Sequence, residues 1–354
     1  MRSILNIVNP MLKNNSFLFL LFIFVFTHSL VYSQEVFRVL AKKGTVQIEN
    51  KGATTVAKPG EKVFADSKII ISEGGYLSLV HSTSRRNVEL LKPGTFKAKD
   101  LSASVSTVKL TTSQRFADFV VNEVGKSSNE SYQDNMKLAG SVSRSSNKQK
   151  TAQEMLKDKI TEEREKTFLK DVSVEDWLFS NKDVNLTPYF TFGMVAYPTK
   201  GIFKWTRGSG EKTKFTINIW DVDKVVLLYA VETEDTTLTI NLAEAGVSEK
   251  CFWSIESKNP SFETEKYELV VLSETQVKEI EKEGDDILKE LGETNNPFAK
   301  LVMARFAEEN LLLPQAEQLY KQVMEENPLV PEYKGLYCKF LLRNGNSILA
   351  KPYL

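Results

Sequence analysis

The 354-residue sequence predicts a multi-domain α+β protein, and three observations support this. Short apolar runs bounded by turn residues fill residues 35–103 and again 183–273, a pattern typical of β-strands. From residue 274 onwards, apolar residues recur at three- and four-residue steps, which is the spacing of one helix face. A polar, helix-prone segment separates the two β-rich regions.

The N-terminus predicts a signal peptide over residues 1–33. Lys13 precedes the apolar run FLFLLFIFVF (17–26), and Val31 and Ser33 occupy the small-residue cleavage positions. A transmembrane anchor is the alternative, but this run is about half of the roughly 20 residues that a spanning helix needs. Met11 is an equally good start for such a peptide. We therefore expect an exported protein of the periplasm or cell envelope.

Residues 35–103 predict a small all-β sandwich or barrel. Val46 and Ile48 alternate with Gln47 and Glu49, as in a half-buried strand. The turn dipeptides are Pro59-Gly60, Gly74-Gly75 and Pro93-Gly94. The stretch KIIISEGGYLSLVHS (68–82) is interpreted as a hairpin that ends on His81. Arg85 and Arg86 then predict a solvated loop tip.

This region resembles the FecR-type β-domain of extracytoplasmic sensors and other bacterial envelope proteins. The matching elements are Gly44-x-Val46-x-Ile48, Pro59-Gly60-Glu61, the stretch 68–82 and VELLKPGTF (88–96). The resemblance implies an extracytoplasmic recognition module without a catalytic residue. In the sensors, a sigma-factor-regulating helical segment precedes a transmembrane helix. Only about sixteen residues precede the apolar run here, so sigma-factor regulation is not carried over.

Residues 104–182 predict a helical and Ser/Asn-rich linker. TSQRFADFVVNEV (112–124) fits a short amphipathic helix, whereas residues 126–150 contain seven serines and three asparagines, which favours a loop. TAQEMLKDKITEEREKTFL (151–169) has sparse apolar positions and dense charge, so we expect a solvated helix. Ser173-x-x-Asp176 is similar to a helix-starting box.

Residues 183–273 predict an immunoglobulin-like β-sandwich. Six runs have the length and boundaries of strands: IFKW, KFTINIW, VVLLYA, TLTINL, CFWSI and YELVVLS. Trp205, Trp220, Phe252 and Trp253 fall inside them. A sugar-binding aromatic face is one interpretation, and an aromatic core is the favoured one.

Residues 274–354 predict helical hairpins that resemble tetratricopeptide (TPR) repeats. AKLVMARFAEENLLLPQAEQLYKQVMEENP (299–328) has Ala304, Ala316, Tyr320 and Pro328 at that repeat's small, small, aromatic and proline positions. The resemblance implies a concave face that holds a protein or peptide, formed here by Phe298, Leu301, Val302, Arg305 and Phe306. The alternative, of equal weight, is that these residues pack on the helix at 275–291 or on the second sandwich.

Residues for chemistry are scarce. The chain has two histidines, and His28 lies in the predicted signal peptide, so only His81 is left for a catalytic relay or a histidine metal site. No G-x-S-x-G, P-loop or dinucleotide fingerprint occurs. The acidic pairs are Glu175-Asp176, Asp221/Asp223 and Asp285-Asp286; the second suits a turn and the third a helix first turn. Cys251 and Cys338 favour buried thiols over a disulfide.

These features predict a non-enzymatic recognition or scaffolding protein, with no cofactor and no metal. The β-domains would bind an envelope component, such as a polysaccharide or a sensor, and the tail an envelope protein or peptide. Forty-six basic residues balance forty-six acidic ones, which gives nucleic-acid binding no support. No transmembrane helix is expected after signal cleavage. The alternative is a ligand-sensing accessory of a transmembrane signalling or uptake system; an enzyme active on polysaccharide is a more distant one.

Overall fold

The computed structural model describes residues 33–105, 111–127, 151–169, 186–207, 213–247, 249–258, 261–292 and 295–353. The chain divides into a short N-terminal unit, Met1–Gln34, and one large unit, Glu35–Leu354. All but the last residue of the predicted signal peptide lies outside the described residues. The large unit has β-sheets in its N-terminal and middle regions and a C-terminal helical cluster, which confirms the mixed α and β class. The predicted domain boundaries stay predictions.

The first β-module, residues 35–105, consists of two antiparallel four-stranded sheets around one core. Its strands are β1 (Glu35–Lys43), β2 (Val46–Asn50), β3 (Ala53–Val56), β4 (Lys62–Phe64), β5 (Lys68–Ile71), β6 (Tyr76–His81), β7 (Asn87–Leu90) and β8 (Gly94–Lys97). The sheet orders are β4-β1-β6-β7 and β3-β2-β5-β8. Phe37, Ile48 and Leu79 are fully buried between them. A short helix, α1 (Ala98–Ser104), follows β8.

The stretch 68–82 is not a hairpin, so that interpretation is wrong. Strand β5 pairs with β2 and β8, whereas β6 pairs with β1 and β7 in the other sheet. The turn carries the chain from one sheet to the other. Gly74 has a φ of +71°, and a side chain at Gly75 would lie 2.7 Å from Ile71 Cγ2. Both glycines are therefore required, but the turn that they form is a crossing between two sheets and not the turn of a hairpin.

Two helices follow, in the segment predicted as linker. These are α2 (Gln114–Ser127) and α3 (Ala152–Leu169). Phe116 and Val120 of α2 and Leu156 and Ile160 of α3 are buried in the larger core of the protein. The expectation of a solvated helix at 151–169 is therefore wrong for its first half, because Leu156 and Ile160 stand one turn apart on a packed face. The Ser/Asn-rich stretch and the box at 173–176 lie outside the described residues.

The second β region, residues 186–271, contains nine strands. They are β9 (Leu186–Pro188), β10 (Met194–Ala196), β11 (Gly201–Arg207), β12 (Phe215–Trp220), β13 (Leu227–Thr233), β14 (Thr237–Ile240), β15 (Lys250–Lys258), β16 (Ser261–Glu263) and β17 (Tyr267–Val271). One sheet has the order β10-β17-β15-β12-β13 with β16 beside β15, and the other the order β14-β11-β9. The six predicted runs coincide with β11 to β15 and β17. Phe215, Ile217 and Ile219 alternate inwards along β12 and are buried.

The helical tail, residues 274–353, begins where the last strand ends. Its helices are α4 (Glu274–Leu291), α5 (Pro297–Glu309), α6 (Leu313–Glu326), α7 (Pro331–Arg343) and α8 (Ser347–Ala350), followed by a 3₁₀ turn, Lys351–Tyr353. Ser273 starts α4 with a reciprocal capping box to Gln276. Asn296 caps α5 by accepting a hydrogen bond from the Ala299 N–H at 2.7 Å, as its sequence position predicts.

One continuous core joins the second β region to the helical tail and to helices α2 and α3. The Val195 N–H donates to the Leu311 carbonyl at 2.9 Å, and the rings of Phe190 and Phe340 meet with centroids 6.1 Å apart. Leu40 and Val80 of the first β-module belong to the same core. Strands and tail are therefore held together by shared burial, the main source of folding free energy.

Helix α2 connects the first β-module to the tail. Arg85 donates from Nε to Asp118 Oδ1 of α2 at 2.6 Å. Arg85 is therefore not part of a solvated tip, because its guanidinium is used in a contact between modules. On the other side of the helix, Phe116 meets the Phe306 ring of α5 edge-on, with centroids 5.6 Å apart.

Candidate interaction surface

The predicted binding face of the tail is buried, and helix α2 packs on part of it. Phe298, Leu301, Val302 and Phe306 are all buried. The Arg305 guanidinium lies 3.9 Å from the ring centroid of Phe119, which α2 contributes. A partner cannot occupy this face in the present fold. The prediction of an open docking face is corrected: the chain packs its own residues there, as the alternative held, and α2 is among the elements that do so.

A buried polar network lies beside this face. Arg343 donates from Nε and Nη2 to the two carboxylate oxygens of Glu308 at 2.8 and 2.9 Å, and Tyr320 Oη donates to Glu308 Oε2 at 3.0 Å. Burial raises the pKa of Tyr320, and the Glu308 carboxylate adds to the rise. The groups are matched donor to acceptor, so the network holds α5, α6 and α7 in register.

A second buried carboxylate connects the tail to the second β region. Glu317 of α6 pairs with the Lys204 ammonium of β11. It also accepts a hydrogen bond from Tyr337 Oη of α7 at 2.8 Å. Burial raises the pKa of Tyr337, with Glu317 contributing in the same direction. The arrangement cross-links three elements, and each polar group has a partner there.

His81 has a structural setting at the end of β6. The Ser84 N–H donates to its Nδ1 at 3.2 Å, which leaves the ring proton on Nε2, 3.0 Å from Ser102 Oγ. A base for Ser102 would need Nε2 unprotonated, the opposite of this tautomer. Burial lowers the pKa of the imidazole, and the charge of Arg85 lowers it further. The geometry agrees with a strand-end residue.

The two cysteines and the acidic pairs are the remaining candidates for chemistry. Cys251 and Cys338 are free and buried, and burial raises their pKa values to about 12 and about 11. Asp285 and Asp286 lie within α4 and not in a first turn, because the helix runs unbroken from Glu274. Glu175-Asp176 lies outside the described residues. Among the residues that the structure describes, no group of three or more His, Cys, Asp or Glu residues could hold a metal ion.

The aromatic residues of the second β region are either buried or covered by lysine ammonium groups. Trp205 and Trp253 are buried, and the Trp253 ring packs against Phe203 with centroids 5.1 Å apart. Trp220 faces outwards, but the Lys266 ammonium lies 3.3 Å above its ring. Phe252 is covered in the same way by Lys224 Nζ at 4.3 Å. The favoured interpretation of the sequence agrees with this packing.

One exposed apolar surface remains, and sequence reasoning missed it. Six of the eleven large apolar side chains exposed within the described residues lie between residues 222 and 229, in the turn before β13 and at the start of that strand. They are Val222, Val225, Val226, Leu227, Leu228 and Tyr229. Together with the rest of β13 they form what we call the apolar edge, residues 222–233. Val225 is 75% exposed and Leu228 41%.

The turn that precedes β13 is rigidly built. Asp221 accepts hydrogen bonds at Oδ1 from the N–H groups of Val225 and Val226, at 2.8 and 3.0 Å. Its own N–H donates to the Val226 carbonyl at 2.9 Å. Lys224 adopts a φ of +63° and is anchored through its carbonyl, which accepts from Lys266 Nζ at 2.9 Å. Asp221 therefore has the turn role that the sequence predicts, and the turn projects its valines into solvent.

Strand β13 also has a free side. It pairs with β12 along one edge, from Thr233 opposite Phe215 to Leu227 opposite Trp220, and is the last strand of its sheet. No other strand in the described part of the chain pairs with its second edge. Such an edge offers unpaired backbone donors and acceptors, and natural proteins usually protect it with charge, proline or a covering element. Residues 225–231 have none of these and are uncharged.

Comparison with known proteins leaves these observations to stand alone. No family model matches the chain, and no curated protein matches it. None of the helices within the described ranges is long and apolar enough to cross a membrane.

Proposed function

We propose that this protein is a non-enzymatic recognition or scaffolding protein of the periplasm or cell envelope. It would bind a β-strand of a protein partner along the apolar edge, residues 222–233. The observation that carries the proposal is the exposure of a contiguous apolar strand at an open sheet edge, because such surfaces mark interaction sites in soluble proteins. The signal peptide predicted at residues 1–33 supports the location.

The module assignments belong to the same proposal. Residues 35–103 are FecR-like, residues 183–273 immunoglobulin-like and residues 274–354 TPR-like in this account. The buried small positions Ala304 and Ala316 and the buried Tyr320 support the last of these, since they lie where α5 and α6 pack closely. We assign partner binding to the second β region and not to the tail, because the predicted tail face is buried. The packed tail would then support the second β region, with which it shares a core.

In-cell photo-crosslinking tests this proposal. A photoreactive amino acid is placed at Leu228, and a matched one at Val56, which is 52% exposed and lies on β3, another sheet edge. We expect ultraviolet-dependent protein adducts from position 228 and none above background from position 56. Both sites are exposed, so both variants should unfold at the wild-type temperature. Equal adducts at both positions, or none at 228, would contradict the proposal.

Deletion of the tail is a weaker test. Removing residues 294–354 would expose core residues such as Phe190 and Trp205, which belong to the same core as the tail helices. Loss of a partner would then report unfolding. The photoreactive substitution at the exposed Leu228 leaves the core intact, and for this reason it separates binding from folding.

A further inference from the structure

We propose that protonation of His81 loosens the contact between the first β-module and helix α2. The moving part is the loop between β6 and β7, residues 82–86, which carries Arg85. The inference is independent of the proposed function, because it needs no partner at the apolar edge. Two observations carry it: the imidazole fixes the loop, and the loop positions the arginine that reaches α2.

The imidazole of His81 holds this loop through its Nδ1 atom. The Ser84 N–H donates to Nδ1 at 3.2 Å, and Ser84 Oγ lies 2.9 Å from the same atom. The main chain adds two hydrogen bonds, from the Arg85 N–H to the His81 carbonyl at 2.9 Å and from the His81 N–H to the Arg86 carbonyl at 2.8 Å. Both His81 and Ser84 are buried. The neutral ring is therefore part of what fixes the shape of the loop.

Arg85 connects the loop to α2. Its φ is +59°, a conformation that is unfavourable for a residue with a side chain and persists where neighbouring contacts enforce it. Its Nη1 donates to the Ser82 carbonyl at 2.7 Å, and its Nε donates to Asp118 Oδ1 of α2 at 2.6 Å. The ion pair with Asp118 therefore depends on the conformation of the loop.

A proton on Nδ1 removes the acceptor of the Ser84 N–H. The proton comes from water, and the resulting imidazolium carries an N–H on both nitrogens. Nε2 keeps its partner, Ser102 Oγ at 3.0 Å, but at Nδ1 two N–H donors now face each other. Ser84 Oγ can accept the new proton, whereas the buried Ser84 N–H is left without its acceptor, which is costly. We expect the Ser84 peptide to turn away, and Arg85 is the next residue in the chain.

Arg85 is also the charged group that acts on the ring. Strand β1 presents the edge of the Phe37 ring, with centroids 5.3 Å apart, and α1 presents the neutral Ser102. Burial lowers the pKa of His81, and the charge of Arg85 lowers it further. The other charged side chains on the elements at this end of the module are Arg86 in the loop, Glu35 and Arg38 on β1, Glu89 on β7, Lys99 and Asp100 on α1, and Asp118 on α2.

Thermodynamic linkage gives the sign of the effect. The ordered loop supplies the Ser84 N–H and the Arg85 cation, and both oppose a proton on Nδ1. A conformation that binds the proton less well is disfavoured when the proton binds. Protonation of His81 must therefore shift the loop towards a released conformation, in which Arg85 no longer pairs with Asp118.

Double-mutant cycles on the full chain test the inference. Urea denaturation of Arg85→Gln, Asp118→Asn and the double variant gives the coupling between the two side chains. It is measured at pH 7.5 and at one pH unit below the midpoint of the imidazole titration. We expect the coupling constant to fall about threefold at the lower pH. In a His81→Gln background the ring charge is absent, and the coupling should be the same at both pH values.

The ion pair between Arg115 and Glu283 is the matched control. It joins α2 to α4 with Nη2 and Oε1 2.9 Å apart, and it involves neither the loop nor His81. The same cycle with Arg115→Gln and Glu283→Gln should give equal coupling at the two pH values. Acid that acted on α2 as a whole would weaken both pairs alike.

An NMR titration follows the loop itself. The Arg85 Nε–H signal should shift with the same midpoint as the His81 imidazole, and the shift should be absent in His81→Gln. The inference is wrong if the Arg85 signal does not follow the imidazole, or if the coupling of Arg85 to Asp118 is the same at both pH values. An equal loss of coupling in the control pair would also overturn it.

Discussion

At the scale of single residues, Glu308 is the centre of the polar network in the tail. It is buried and accepts two hydrogen bonds from Arg343 and one from Tyr320. Removing one member of a buried ion pair leaves the other charge without compensation, which is more costly than losing a surface pair.

Glu308→Gln should therefore lower the free energy of unfolding by about 3–5 kcal/mol, measured by urea denaturation. Glu325→Gln is the matched control on α6, because Glu325 is exposed and pairs with Lys321 at a distance of 3.8 Å. We expect the control to change stability by less than about 1 kcal/mol. Equal effects of the two substitutions would show that the network does not stabilise the tail.

His81 makes the pH dependence of stability predictable. Burial, and then the charge of Arg85, lowers the pKa of the folded imidazole below its ordinary value of 6.5. The unfolded chain therefore binds more protons than the folded chain once the pH falls below about 6.5. The stabilisation that results from the lowered pKa of His81 is fully present above that pH. It decreases as the pH falls towards the folded pKa.

We expect wild-type stability to decrease between pH 7.5 and 5.5, and the decrease to be smaller in His81→Gln. Chemical denaturation at each pH measures this difference, and NMR titration of the imidazole gives the folded pKa directly. The two chains should differ in slope in this window, because most carboxyl groups titrate below it. A folded pKa for His81 above 6.5 would contradict the burial that the structure shows.

At the scale of elements, helix α2 fastens the first β-module to the tail through a close backbone approach. A Cβ atom at Gly60 would lie 2.6 Å from the Cα of Gly125 in α2. Gly52 has a similar positive φ, +84° against +81° for Gly60, but no atom lies within 4 Å of its Cβ position. The two glycines share their backbone strain and differ only in the contact with α2.

Gly60→Ala should therefore destabilise the protein more than Gly52→Ala. The shared left-handed conformation accounts for about 1–2 kcal/mol in each variant, and the excess in Gly60→Ala measures the contact. Thermal or urea unfolding gives both values. If the two alanine variants unfold alike, the approach of the turn to α2 is not a close contact in solution.

The local sequence pattern predicted most of the helices and strands. It did not predict which strands pair, because pairing depends on residues far apart in the chain. The runs at 183–273 gave six strands at the right places, the helical pattern from residue 274 coincides with the start of α4, and Asn296 caps α5. The glycines of 68–82 were predicted to turn the chain, and they do. A tight turn does not reveal whether the two strands pair with each other, and here the chain changes sheets.

The same limit applies to exposure. The TPR resemblance implied an open face on α5, but α2, which lies far earlier in the chain, packs Phe116 and Phe119 against Phe306 and Arg305. Residues 225–231 are a continuous apolar run, which usually indicates a strand buried on both faces. Their position at the edge of the sheet is what exposes them. No local signal distinguishes an edge strand of this composition from a central one.

At the scale of the whole molecule, residues 35–354 form one unit with a single large exposed apolar surface in its described part. The core runs from Leu40 and Val80 through α2 to the tail and the second β region. We therefore assign recognition to the apolar edge and support to the elements packed behind it.

Hydrogen–deuterium exchange of the full chain, free and bound to a partner identified by crosslinking at Leu228, tests this central claim most directly. Backbone amides on the free side of β13 should become protected in the bound state, because a strand of the partner would pair with them. Strand β3 (Ala53–Val56) provides the internal control, and its exchange should stay constant. Protection that increases across Leu227–Thr233 alone is the predicted result. Exchange in β13 that is fast and unchanged by the bound partner would contradict recognition at the apolar edge.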